Sequence, residues 1–164
     1  RFDAGIRAGE RVARDMIAVR RSDELRILVV GSPDYLARRG RPTAPPDLEA
    51  HDCVRTRLAN GAFLPWHFER KGRRLEVAVQ GRLVVNDLDL SLRVALAGAG
   101  LVQLPHDQVA PFLAAKRLIP VLEEWAPQIS GFYLYHSSRR QVPPALKALI
   151  EFLRTSRSGA PRAS

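Results

Sequence analysis

Few residues of this 164-residue chain have both the type and the placement to do chemistry, and most of them stand where a helix should begin. In "LVVGSPDYLARRG" an apolar run ends at Gly31-Ser32-Pro33. In "LVVNDLDLSLRVALAGAGLVQLP" another ends at Asn86-Asp87. A helix start carries unpaired backbone N–H groups and a partial positive charge, so it favours a small anion. Ser32 offers a hydroxyl and Asn86 an amide. An aspartate cap opposes an anion unless an arginine pairs with it, which makes Asn86 a better ligand than Asp87. The plainer alternative is that both sites are ordinary N-caps, whose loss to alanine costs about 0.5–2 kcal/mol. If they also bind a ligand, Ser32→Ala and Asn86→Ala should both weaken that binding.

The usual catalytic patterns are missing. The sequence holds no GxSxG, HExxH, P-loop or strand-following GxGxxG; Gly98 and Gly100 follow a helix pattern and serve to stop it. His51, His67, His106 and His136 are scattered, and none stands at zinc spacing from Cys53. Cys53 opens a strand and reads as a small buried hydrophobe. Asp87 and Asp89 carry no mark of an acid/base pair. The expectation is a binding domain without cofactor or metal, and not an enzyme.

Net charge is +9, from 26 basic and 17 acidic residues. The arginines (Arg20-Arg21, Arg38-Arg39, Arg70 to Arg74, Arg139-Arg140) lie at the ends of apolar runs and are not interleaved with aromatic residues. They read as solvated loop charges more than as a phosphate-tracking stripe. A lone cysteine cannot form an internal disulfide, which points to a reducing, cytoplasmic setting. No apolar segment is long enough to span a bilayer. The chain starts at Arg1 without methionine, which leaves room for upstream sequence, a leader included.

The elements that must hold these residues follow from pattern. "LRILVVGS" is the strongest strand, a continuous apolar run suited to a sheet covered on both faces. Ser32 as cap, Pro33 at the first turn, Asp34 and a closing Gly40 define the short helix after it. "DCVRTR", "WHFER", "RRLEVAVQG" and "RLVVN" are strands, with a hairpin turn at Lys71-Gly72 and "LANGA" as a loop. Leu88, Leu92, Ala95, Leu96 and Ala99 form a helical stripe, with either Asn86 or Asp87 as cap. "LVQLP" is a buried strand ending at Pro105, and a helix pattern follows from Asp107. "LIPVL" and "GFYLYHS" are strands, and Leu146, Leu149, Ile150 and Leu153 line one face of a last helix. The alternation implies an α/β architecture with a largely parallel sheet, in which ligands sit outside the carboxyl ends of the strands. Both helix starts are therefore expected to face one crevice.

In order along the chain, "DAGIRAGE", "MIAVR", "LRILVVGSPDYLARRGRPTAPPDLEAHDCV", "VNDLDLSLRVALAGAGLVQLP" and "LYHSSRRQVPPALKALIEFL" resemble the effector-binding region of LysR-type transcriptional regulators. The resemblance covers about Phe2 to Leu153, and its most specific part is GSP-x-YLA followed by PPDL-x-x-H-x-C. It implies a type 2 periplasmic-binding-protein-like fold: two α/β lobes, one largely incomplete here, with a small effector in the cleft between them. The implied divisions are 1–11 for the last strand of the first lobe and the crossover, and 12–127 for the second lobe. Residues 128–154 would return to the first lobe, and 155–164 would form a disordered tail. With one lobe incomplete, the apolar face of the last helix is expected to be exposed. Ser32, Asn86 and Asp87 would line the cleft, with Arg55 and Thr56 as further ligands and Pro105 shaping it. The implied function is to sense a small, anionic effector and so modulate DNA binding by a full-length dimer or tetramer. DNA would be read by a helix-turn-helix outside this sequence. A solute-binding component of a transporter shares the fold and is the alternative, and a small α/β enzyme is a more distant one.

Overall fold

The structure, a computed structural model, describes residues 4–8, 16–20, 24–137 and 142–156. The chain forms two units, one of Arg1–Leu25 with Ile129–Ser164 and one of Arg26–Gln128.

In the first unit, β12 (Phe132–Ser137) lies between β1 (Ala4–Ala8) and β2 (Met16–Arg20), antiparallel to both. This pairing draws β2 into the first unit, and the boundary between the units lies at Leu25/Arg26. The last helix, which becomes α4 (Pro144–Ser156), packs Leu146 and Ile150 against Leu134 of β12. These two residues lie one turn apart and are buried, so the apolar face expected to be bare is partly covered; Leu149 remains exposed. The side chain of Leu153 and the tail from residue 157 lie outside the described residues.

The second unit is a three-layer α/β body. Its strands are β3 (Leu25–Gly31), β4 (Arg55–Arg57), β5 (Phe63–Leu64), β6 (Trp66–Arg70), β7 (Arg73–Val77), β8 (Val84–Val85), β9 (Val102–Pro105), β10 (Ile119–Val121) and β11 (Gln128–Ile129). Its helices are α1 (Pro33–Arg39), α2 (Leu88–Leu96) and α3 (His106–Ala114), with 3-10 turns at Pro45–Ala50 and Glu123–Trp125. Central β3 runs antiparallel to β9, with Ile27 opposite Pro105 and Val30 opposite Val102, and antiparallel to β10. Cys53 bridges Leu101 in parallel, and β4 pairs in parallel with β8. Strands β4, β8, β9 and β10 therefore share one direction, and β3 and the short β5 oppose them. The largely parallel sheet expected from the sequence is replaced by mixed pairing: β3 is antiparallel to both β9 and β10, β5 is antiparallel to β4, and the parallel contacts are β4 with β8 and the Cys53–Leu101 bridge. An apolar run buried on both faces reads the same in either direction, so nothing in β3 announces its reversal.

Alternation along β3 separates two cores. Val29 joins Tyr35, Leu36, Leu48, Cys53, Trp66, Phe68 and Leu101 on one face. Leu28 and Val30 join Val54, Val85, Ala95, Leu104 and Val109 on the other. The first face is thus covered by α1, a 3-10 turn and the β6–β7 hairpin, and the second by α2 and α3. The hairpin turns through Lys71 and Gly72, both at positive φ (51° and 76°), as a two-residue turn between right-twisted strands requires.

Candidate ligand site

Because β4, β8 and β9 share a direction, their carboxyl ends meet at one end of the sheet. Pairing of Ile27 with Pro105 puts the start of β3 at this end too. The chain also leaves there, where the Ile27 N–H donates to the Pro127 carbonyl at 3.0 Å. Asn86 and Asp87 follow β8 directly. The parallel register sets Arg55 beside Val84 and Thr56 beside Val85, so one further step brings Asn86 level with Arg57.

Asp87 is the cap. Its Oδ1 accepts the Leu90 N–H at 2.8 Å, and the Ser91 hydroxyl donates to its carbonyl at 3.0 Å. The carboxylate is thereby committed to the helix start, while Asn86 stays exposed. A third helix start shares this sheet end. α3 begins at His106, immediately after Pro105, which has no side chain able to cap; the Gln108 N–H meets only the neighbouring Asp107 carboxylate, at 3.1 Å. Beginning the helix at Asp107 hides this from a sequence reading, although a strand running into "PHDQ" without Ser, Thr or Asn is the available cue. Strands lie about 4.8 Å apart, so the starts of α2 and α3, two strands apart, stand roughly 10 Å from one another.

Ser32 is elsewhere. Because β3 is reversed, its carboxyl end lies at the opposite end of the sheet, beside Ile119 and the start of β9. Ser32 is 5% exposed, and its Oγ accepts the Tyr35 N–H at 3.1 Å. The turn after α2 lies over it: a Cβ added to Gly98 would come 3.1 Å from Ser32 Oγ, and Arg38 donates to the Gly98 carbonyl at 3.0 Å. Ser32 thus sits at the far end of α2 from Asp87, roughly 13 Å away at 1.5 Å per residue. The two helix starts expected to share a crevice do not. Ser32→Ala should lower stability by about 1 kcal/mol, the cost of a lost cap, as read by urea denaturation.

Arg55 and Thr56 are neighbours in a strand and so point to opposite faces. Thr56 shares the α2 side with Val85, while Arg55 shares the other side with Arg57 and Val84. The Arg55 guanidinium lies 3.6 Å from the centroid of Phe63 and that of Arg57 lies 5.2 Å from it. Neither Phe63 nor Arg57 stands out in the sequence. The signal was present in "RTRLANGAFL": a turn about Asn60-Gly61 folds Phe63 back opposite Arg57.

The GSP-x-YLA and PPDL-x-x-H-x-C segments form a scaffold. The Tyr35 hydroxyl accepts the Asp52 N–H at 2.9 Å and is hydrogen-bonded to His51 Nδ1 at 3.1 Å. Burial, reinforced by Arg39, holds His51 below its usual range, and burial raises Tyr35. The Asp47 carboxylate takes the N–H and hydroxyl of Thr43 and the N–H of Ala44, which keeps it below its usual range. Cys53 is fully buried, and burial, with Asp52 adding to it, pushes its thiol up to about 12, far from a neutral-pH nucleophile. Among the described residues no group of three His, Cys, Asp or Glu side chains is placed to hold a metal ion, and no helix is long and apolar enough to cross a membrane. A separate cavity of about 360 Å³, lined by Asp52, Cys53, Val54, Arg82, Leu83 and Ala99, lies toward the Ser32 end.

Residues 1–158 match the family described as the LysR substrate binding domain. A protein of Pseudomonas aeruginosa named as a transcriptional regulator is 41% identical over 158 residues, covering 96% of this chain and 52% of its own length. The HTH-type transcriptional regulator PgrR of Escherichia coli K12 is 38% identical over 155 residues, covering 94% of this chain and 52% of its own. The chain thus spans about half the length of these curated relatives. Among solved structures, CrgA, a LysR-type transcriptional regulator from Neisseria meningitidis, superposes with a TM-score of 0.77 at 24% identity, covering 96% of this chain and 53% of that one. Family match, relatives and fold agree: the chain belongs to the LysR substrate-binding domain family.

Proposed function

We propose that this chain is the effector-sensing part of a LysR-type transcription regulator, and that a small anionic effector binds at the sheet end where β4, β8 and β9 finish. The observation that carries this reading is the meeting of three parallel strand ends and two helix starts at one place. Asn86 supplies an amide, Arg55 a charge and the start of α3 free N–H groups, with Pro105 shaping the wall and Asp87 fixing the turn that carries Asn86. Thr56, on the α2 side of β4, lends support from behind, and Ser32 acts as a cap alone. The relatives' names, as HTH-type transcriptional regulators, favour a regulator over a transporter component or an enzyme.

In such a regulator, DNA is read by a helix-turn-helix and the subunits self-associate in the cytoplasm. The effector acts by binding one arrangement of the protein better than another, and its influence on transcription is limited to that difference in affinity. Loss of one hydrogen bond to a charged group costs about 1.5–3 kcal/mol, or at least tenfold in affinity. We therefore expect Asn86→Ala to weaken binding of the best ligand in a panel of small organic acids by about tenfold, read by calorimetry. Ser32→Ala should leave that affinity within about twofold while costing its cap energy. A loss in Ser32→Ala with affinity unchanged in Asn86→Ala would return the site to the Ser32 end.

A further inference from the structure

The Arg55–Phe63–Arg57 stack has a chemistry of its own. Register places Arg55, Arg57, Val84 and, one step on, Asn86 on a single face of the β4–β8 pair, with Phe63 opposite Arg57 on the other flank. Two guanidiniums are held over one ring that is itself 37% exposed. Stacking on an aromatic face leaves the N–H edges of a guanidinium free and fixes the plane in which they point. Five other basic side chains among the described residues, Arg26, Arg39, His67, Arg70 and Arg74, have a carboxylate within 4.0 Å, whereas no such pair is found for Arg55 or Arg57. Two like charges brought together without a counter-charge repel each other. They also present two planar forks suited to bidentate recognition of oxyanions.

We infer that the effector is a small dianion, a dicarboxylate or a phosphomonoester, whose two negative charges are taken by Arg55 and Arg57, with Phe63 setting the guanidinium planes and Asn86 closing the site. This rests on the proposed effector site and specifies the class of compound it accepts. Arg57 and Phe63 are its specificity-determining residues. Phe63 acts only through the arginines, so its loss should disturb their orientation more than their charge.

The test uses the whole chain, with succinate and glycerol 3-phosphate as dianions and butyrate as a monoanion of similar size. Affinities are read by calorimetry, and the arginine Nε–Hε signals by NMR. One of the two dianions should bind at least tenfold more tightly than butyrate and shift the Nε–Hε signals of both Arg55 and Arg57. The preference between them separates the carboxylate from the phosphate source. Arg57→Gln should cut dianion affinity at least tenfold and bring it down to that of butyrate, and Phe63→Ala should move both arginine signals in the free protein. Urea denaturation of each variant checks that the fold is retained. Failure of both dianions to bind better than butyrate, or binding that survives Arg57→Gln unchanged, overturns the inference. If butyrate or the dianions still bind under those outcomes and still depend on Asn86, the effector site stands and only the dianion assignment falls.

Discussion

Replacing Gly81 with alanine should cost about 3 kcal/mol or more. A Cβ at this position would stand 1.9 Å from the Cys53 carbonyl oxygen, 2.8 Å from its carbon and 3.0 Å from its nitrogen. All three are backbone atoms, so no change of rotamer relieves the clash. The strands must part, and with them the hydrogen bond from the Cys53 N–H to the Gln80 carbonyl, 3.0 Å long. That bond joins β4 to the segment leading into β8, and so supports the register that sets Asn86 beside Arg57. Gly61→Ala provides the contrast: it has open space around it but φ of +83°, a conformation that costs an alanine only about 1–2 kcal/mol. Urea denaturation with an unchanged m-value measures both. A loss at Gly81 no larger than that at Gly61 would mean the strands are not packed this closely.

Tyr35→Phe should be the second most costly change, at about 2 kcal/mol. The phenol hydroxyl is the shared partner of the Asp52 N–H and His51 Nδ1, at 2.9 and 3.1 Å, and its removal leaves both without a bond in a part-buried place. Phenylalanine keeps the ring in the core, so the loss measures the hydroxyl. The same cluster has a pH signature. Burial first, then Arg39, keeps His51 below the usual 6.5, so the folded chain refuses a proton that the unfolded chain accepts. The stability this provides is complete above about pH 6.5 and is lost as the pH falls through that value toward the lowered folded one. Asp47 acts in a separate window: its stabilising hydrogen bonds fade only as the pH falls below the usual carboxylate value of 3.8. His51→Gln, whose amide can still hydrogen-bond the Tyr35 hydroxyl, should flatten the stability profile just below pH 6.5 and leave the more acidic limb unchanged.

Much of this fold is legible in the residues. The caps and stops of α1 and α2 are local chemistry, and the β6–β7 turn is set by Lys71-Gly72, so each follows from a few adjacent side chains. The segments that escape are those whose cause is distant. β5 and β11 have two residues each, too few for any period to show, and exist because neighbouring strands take their backbone bonds. The reversal of β3 decides where Ser32 lies, yet it is a property of the chain's path and not of "ILVV". The general rule that ligands gather at carboxyl ends of strands points to the end where β4, β8 and β9 finish, the place of the proposed site. It misplaces Ser32 only because its strand runs the other way. Arg57 and Phe63 escape for a related reason: each is unremarkable alone, and only the return at Asn60-Gly61 stacks them.

The most direct test of the account is to titrate this 18.3 kDa chain, labelled with nitrogen-15, with the tightest-binding acid of the panel and follow its backbone amide signals. The structure leads us to expect shifts concentrated at Arg57, Asn86, Asp87 and His106 to Gln108, with Ser32, Asp52 and Ala99 unmoved. Shifts centred on Ser32, Arg82 and Ala99 would instead place the ligand at the opposite end of the sheet and contradict the proposed site.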